Sequence, residues 1–188
     1  MLSFKISIVN VVATAALDRS VDLESLHELF PHEVIHDKDL YGGRVAYFKS
    51  RNMEGKVSIF MSGKMISIGT KSIEKAIKEL KIVAKTLKAN LKAKPKIQNI
   101  VATADLKTSI DLEGFLSQVQ EEKQFHAIYE PEQFPGAIVK FPVVQGVMAT
   151  ILLFSSGKLV CLGLTRCDYV QKAVELMTAR LIAKPIEF

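Results

Sequence analysis

The feature that most constrains this 188-residue chain is that it repeats itself. IVNVVATAALDRSVDLE, from Ile8 to Glu24, and IQNIVATADLKTSIDLE, from Ile97 to Glu113, agree at eleven of seventeen positions at an offset of 89. FMSGKMISIG (Phe60–Gly69) and FSSGKLVCLG (Phe154–Gly163) match at an offset of 94, so the second copy carries five extra residues between the two matches. Two matches in the same order make the chain a duplication of one unit, with expected repeats at 1–93 and 94–188. Whatever the chain folds into has to be buildable twice from one pattern of elements.

That pattern is readable. The β-branched stretch Ile8–Thr14 predicts a strand. Asp22 is placed to cap a short helix, Leu23–Phe30, which Pro31 stops. Tyr41-Gly42-Gly43 marks a turn, Arg44–Lys49 and Lys56–Phe60 read as paired strands, and Ser62-Gly63-Lys64 is a hairpin turn into a strand at Met65–Gly69. Ser72 is expected to cap a helix reaching to about Leu91, with Ile73, Ile77, Leu80, Ala84 and Leu87 as its apolar stripe. The second copy closes the same way, with Asp168 as cap and Val170, Val174, Met177 and Leu181 as the stripe. The unit is therefore α+β, an antiparallel sheet with helices on one face only.

Composition removes several classes. No apolar run approaches the ~18–20 residues of a membrane span. Met1–Asn10 lacks the apolar core of a secretory leader. Cys161 and Cys167 read as reduced thiols, Cys161 as a small core residue facing the helices. The pair His32/His36 has helical spacing, but Pro31 interrupts the helix and no cysteine is near, so no metal site is expected. No phosphate loop, nucleophile elbow or paired-carboxylate signature is present, so neither enzyme chemistry nor a cofactor is expected. The net charge of +5 permits a nucleic-acid partner, and it is uneven: residues 1–93 hold 15 basic and 10 acidic side chains, residues 94–188 hold 10 of each. Lys75, Lys78, Lys81, Lys85, Lys88 and Lys92 form a stripe along the long helix, read as its solvated face.

Side chains alternate along strands, and here both faces of the sheet are largely apolar. Asn10, Val12 and Thr14 share one face of the first strand, and Asn99, Val101 and Thr103 share the matching face of its copy. Phe60, Ile66 and Ile68, and their counterparts Leu152, Phe154, Val160 and Leu162, continue it. An extended apolar surface that helices do not cover marks a binding site.

QNIVAT (Gln98–Thr103), YEPEQFPG (Tyr129–Gly136) and LLFSSGKLV (Leu152–Val160), with the duplication, resemble the TATA-box-binding protein family in its archaeal form. The resemblance spans nearly the whole chain. It implies a saddle: two pseudo-symmetric repeats sharing one curved antiparallel sheet, with helices on the convex face. It implies a non-enzymatic transcription initiation factor whose open face sits in the minor groove of A/T-rich double-stranded DNA and bends it.

Carried onto this chain, the resemblance makes Asn10 and Asn99 the central hydrogen-bonding pair and Val12, Ile66, Val101 and Val160 apolar groove contacts. Phe134 with Phe154 forms one wedge, and Phe60 with Leu40 the other; a slip of one residue offers Tyr41 instead. Lys64, Lys71, Lys140 and Lys158 are implied phosphate contacts, and Glu130 and Glu132 the loop that meets a TFIIB-like initiation factor, which brings RNA polymerase. The expected state on DNA is a monomer, with a homodimer left open for the free protein. The expected location is the archaeal cytoplasm and nucleoid, or the nucleus in a eukaryote.

The chain also departs from the family. Ile68 and Leu162 stand where the family has threonines that donate hydrogen bonds near the centre of the site, and Ser58 replaces a larger apolar contact. The loops at Ser50–Lys56 and Val143–Val147 look lengthened. These departures make it a divergent member. The alternative reading is a paralogue kept as a protein-interaction or regulatory module with weakened DNA readout. A nucleic-acid enzyme is the more remote rival, since no acidic metal cluster is present.

Overall fold

The computed structural model of the protein describes residues 5–182. The outer ends of both expected repeats, and the first four positions of the Met1–Asn10 stretch, lie outside the described residues. The chain divides into two compact units, residues 10–98 and residues 99–182 with 5–9.

In the first unit, β1 (Ser7–Ala16) is followed by α1 (Leu23–Leu29), β2 (Val34–His36), a 3-10 turn at Leu40–Gly43, β3 (Val45–Phe48), β4 (Lys56–Phe60), β5 (Lys64–Thr70) and α2 (Ile73–Thr86). Its strands lie side by side in the order β2-β3-β4-β5-β1, all antiparallel. The second unit repeats the plan with β6 (Lys96–Asp105), α3 (Leu112–Val119), β7 (His126–Ile128), β8 (Gly136–Val144), β9 (Val147–Phe154), β10 (Lys158–Leu164) and α4 (Cys167–Ile182). Its order is β7-β8-β9-β10-β6. The two helices of each unit pack on the strands of that unit.

The helix starts follow the caps. The Asp22 carboxylate accepts from the Glu24 and Ser25 N–H groups, the Ser72 hydroxyl from Lys75 N–H, and the Asp111 carboxylate from Gly114 N–H. Asp168 is different: α4 begins at Cys167, so Asp168 lies inside the first turn, its carboxylate held by the Arg166 guanidinium at 2.8 and 2.9 Å.

Two further expectations about helices are corrected. Helix α2 stops at Thr86 rather than near Leu91. Lys88 takes φ 48, Leu91 bridges to Leu17, and Asn90 donates from its backbone and side-chain amides to Asp18. This C-terminus is set by distant partners, with no glycine or proline to announce it. The buried stripe of α2 is Ala76, Glu79, Leu80, Val83 and Ala84, whereas Ile73, Ile77 and Leu87 lie half-buried at its margins.

Strand pairing locates the five extra residues of the second copy. Ile35 and Tyr47 are opposite each other, as are Ile128 and Ile138, so the offset is 93 at the first position of each pair and 91 at the second. Ser58 pairs Ile66 and Leu152 pairs Val160, which restores 94. The second copy thus gains four residues between its short helix and edge strand, loses two in the edge loop, and gains three in the hairpin that follows. That hairpin gain sits in longer strands. Val144 pairs Val147 across a two-residue turn, so Val143–Val147 is no lengthened loop. The first-half connection between β3 and β4, residues 49–55, does form an extended loop.

Candidate nucleic-acid interface

In each unit the strands present one sealed face and one half-open face. Val11, Ala13, Val57, Ile59 and Met65 in the first unit, and Ile100, Ala102, Ile151, Leu153 and Cys161 in the second, have no exposure. Their strand neighbours Val12, Thr14, Phe60, Ile66 and Ile68, and Val101, Thr103, Leu152, Phe154, Val160 and Leu162, are all half-buried. The helices cover the first set, so the second set forms a largely apolar surface on the other side. Cys161 belongs to the sealed face, where burial pushes its thiol up to about 12.

On that half-open face each unit holds one asparagine in the same way. Gly69 N–H donates to Asn10 Oδ1 at 2.7 Å, and Gly163 N–H donates to Asn99 Oδ1 at 2.8 Å. The two glycines sit at bulges where the pairing register slips, between Val11 and Ala13 and between Cys161 and Leu164. They take φ 91 and 88, a left-handed backbone that glycine adopts without steric cost. A backbone N–H can only donate, so each amide oxygen is fixed in place and each side-chain NH2 is left as the outward group. Each half therefore offers one oriented donor in an apolar field. In the minor groove, A·T pairs show only acceptors, whereas G·C adds a donating amine.

The two halves diverge at their edges. In the second half Phe134 and Phe154 stack edge to face, with centroids 5.7 Å apart. Gly136, opposite Phe154 in the ladder, makes room for them: a Cβ there would lie 2.9 Å from Phe134 and 3.0 Å from Phe154. In the first half the residue opposite Phe60 is Val45. Its side chain stands at the register position where Gly136 leaves space. Counting back from that position Phe134 corresponds to Gly43, and counting forward from Ile35 and Ile128 it corresponds to Tyr41, the one-residue slip; neither count reaches Leu40. Leu40 instead belongs to the 3-10 turn, half exposed, and Tyr41 beside it is 72% exposed. Residues 41–43 all take positive φ, the conformation that absorbs the two additional residues of this loop. Among the described residues Phe60 has no ring partner.

The remaining residues are exposed or locally engaged. Lys64, Lys71, Lys140 and Lys158 are exposed, as are Glu130 and Glu132 on the edge loop of the second half. The Thr14 hydroxyl accepts from the Gln98 side-chain amide at 2.8 Å. Asp105 pairs with Lys107 at 2.7 Å, and this hydrogen bond, reinforced by the charge of Lys158, holds its carboxyl below the usual range. His36 spends its Nε2 on the Gly43 carbonyl at 2.8 Å. Among the described residues no group of His, Cys, Asp and Glu is placed to hold a metal ion, and no helix is long and apolar enough to cross a membrane.

Some residues of this surface were not singled out from the sequence. Tyr47, half-buried opposite Ser58, extends the open face of the first half, with Lys56 Nζ 4.5 Å above its ring. Alternation from Phe60 could have found it once the strand pairing was known. Lys92, placed on the helix stripe by spacing, lies beyond the end of α2 and donates its N–H to Ala16. It lines the same hollow as Phe60, Lys64 and Ile66, together with Lys94 and Lys96.

Comparison with known proteins gives a consistent result. The family model described as "Transcription factor TFIID (or TATA-binding protein, TBP)" matches residues 5–90 and again 94–183. The TATA-box-binding protein of Sulfolobus acidocaldarius is 38% identical over 191 residues, covering 97% of this chain and 91% of that protein. That of Methanothermobacter thermautotrophicus is 33% identical, covering 96% and 97%. Among solved structures, Methanococcus jannaschii TBP superposes with a TM-score of 0.71 at 28% identity, covering 94% of this chain and 98% of that one.

Proposed function

The chain belongs to the TATA-box-binding protein family, and from that premise we propose that it is a transcription initiation factor that binds and bends A/T-rich DNA through the minor groove. The observation that carries this reading is the pair of asparagine amides, each pinned by a glycine N–H and set in an apolar face. A groove floor of acceptors accepts from the two NH2 groups, and a guanine amine would meet a donor with a donor. The apolar neighbours tolerate any sequence that lacks that amine. Pinning the amides before binding removes the cost of ordering them on DNA.

Bending follows from the edges. Phe134 and Phe154 form a preassembled wedge for one base step. Unstacking costs roughly a few kcal/mol per step in minor-groove benders, a class in which this family is itself a standard example, and added contact area offsets it. Phe60 supplies the other step, with the exposed Leu40 or Tyr41 of the 3-10 turn moving to join it on DNA. Lys64, Lys71, Lys140 and Lys158 meet backbone phosphates. Glu130 and Glu132 offer a TFIIB-like factor two exposed carboxylates on one loop, and RNA polymerase follows from that contact. The protein acts as a monomer on DNA.

A second reading, a module kept for protein contacts with weakened DNA readout, draws on Ile68, Leu162 and the missing ring partner of Phe60. Fluorescence anisotropy with A/T-rich and G/C-rich duplexes of equal length separates the two. At ~0.1 M salt, where phosphate contacts still act, the A/T-rich duplex should bind at least about tenfold tighter, one mismatched contact's worth or more. Absence of binding to either duplex would favour the second reading.

A further inference from the structure

We propose that Lys92, Lys94 and Lys96, in the segment joining the two repeats, form with Lys64 a phosphate-binding rim on the first half that the second half lacks, and that this rim biases which way round the protein sits on DNA. The inference rests on the minor-groove reading and adds to it a site, a ligand chemistry and a direction.

Three observations carry it. The four lysines border one hollow whose floor includes Thr14, Phe60 and Ile66 of the open face. All four are exposed, and none takes part in an ion pair among the described residues. Their charge is therefore available to an anion beside the groove-facing surface, unlike that of Lys75 on the outer side of α2, which is committed to Glu54 at 3.1 Å.

The corresponding hollow of the second half holds fewer cations. It is bordered by Lys5 and Lys158, and by Asp105, whose charge is met by Lys107. The repeat offset of 89 aligns Lys94 with Lys5 and Lys96 with Ser7, so the first half gains a cation where the second has a hydroxyl. Four unpaired cations against two, beside a carboxylate already paired with Lys107, is a polarity built into a two-fold repeat. A duplex whose two ends differ in phosphate spacing or flexibility then has a preferred orientation, because long-range attraction acts before the short-range contacts form. Early termination of α2 makes this possible: had the helix run on to Leu91, Lys92 would have pointed with the rest of the lysine stripe.

The test compares the full chain with the variant K92Q/K94Q/K96Q on an asymmetric A/T-rich duplex across a potassium chloride series. Loss of two to three phosphate contacts should flatten the slope of log affinity against log salt by about 2–3, with the A/T over G/C preference unchanged. K78Q/K81Q/K85Q, on the outer face of α2, should leave the slope as it is. Orientation is read by a DNA-cleaving reagent attached to the exposed Cys167, since Cys161 is buried. Its cuts should favour one end of the duplex with the parent chain and spread to both ends with the linker variant. An unchanged slope, or a flattening matched by the α2 variant, would overturn the inference while leaving minor-groove binding intact. A parent chain that bound no duplex would overturn both.

Discussion

The two halves of the molecule started from one sequence, and they have kept different things. Both keep the bulge glycine and the asparagine it pins, with donor–acceptor distances of 2.7 and 2.8 Å. Both keep the alternation of sealed and half-open side chains. They part at the edge, where the second half has a ring pair over Gly136 and the first has Val45 below a longer turn. They part also beneath the sheet. Glu79 of α2 is buried, accepting from Gly55 N–H at 2.8 Å and from the Ser67 hydroxyl at 3.1 Å. The matching positions of the second half hold Ala173 and Cys161, both without exposure. What is common to the halves is the centre of the candidate interface; what differs is how each half is braced and how its edge engages a partner.

The largest effect expected from this contrast is on stability. Glu79→Ala leaves two buried donors, Gly55 N–H and the Ser67 hydroxyl, without an acceptor. At about 1–3 kcal/mol for each unsatisfied group, thermal or urea unfolding should show a loss of about 2–6 kcal/mol. Glu79→Gln should lose less than half of that, because its amide can still accept from Gly55 and donate to Ser67. If the two variants unfolded alike, the carboxylate would not be the brace. Ala173→Gly, at the matching site, should cost only about 1 kcal/mol, the helix propensity difference.

A smaller effect is expected on the open face. Ile68→Thr and Leu162→Thr each add a hydroxyl beside a pinned asparagine, where a groove acceptor lies on the proposed reading. Each should tighten binding to an A/T-rich duplex by roughly 0.5–1.5 kcal/mol, between about twofold and tenfold, measured by anisotropy. Equal gains would mean that both halves reach the groove alike. A gain at Leu162 alone would mean that the first half, without its ring pair, sits further from the DNA.

Much of this was legible in the sequence because local chemistry settled it. The caps at Asp22 and Ser72, the period-two alternation through Val12 and Val101, and the tight turn at Gly63 depend on near neighbours, and the structure follows them. The misread features depend on distant partners. Helix α2 ends where Leu91 meets Leu17, a contact between residues 74 positions apart. Leu40 was aligned with Phe134 because the loops were compared by offset, and only the pairing of Val45 with Phe60 shows the register. The asparagines were found as a repeated polar residue in an apolar strand, but their orientation needed Gly69 and Gly163 across the bulge. Lys92 reads by spacing as part of the helix stripe until the end of α2 at Thr86 removes it, and Lys94 and Lys96 carry no signal, because linker lysines look alike until the fold places them.

The central claim is that the half-open face enters the minor groove and that the Phe134–Phe154 pair bends the duplex. Fluorescence transfer between the two ends of a labelled A/T-rich duplex, saturated with protein, tests it directly. The parent chain should raise transfer, Lys81→Ala should raise it equally, and Phe154→Ala should leave most of the duplex straight. Equal transfer with Phe154→Ala and Lys81→Ala would contradict the account.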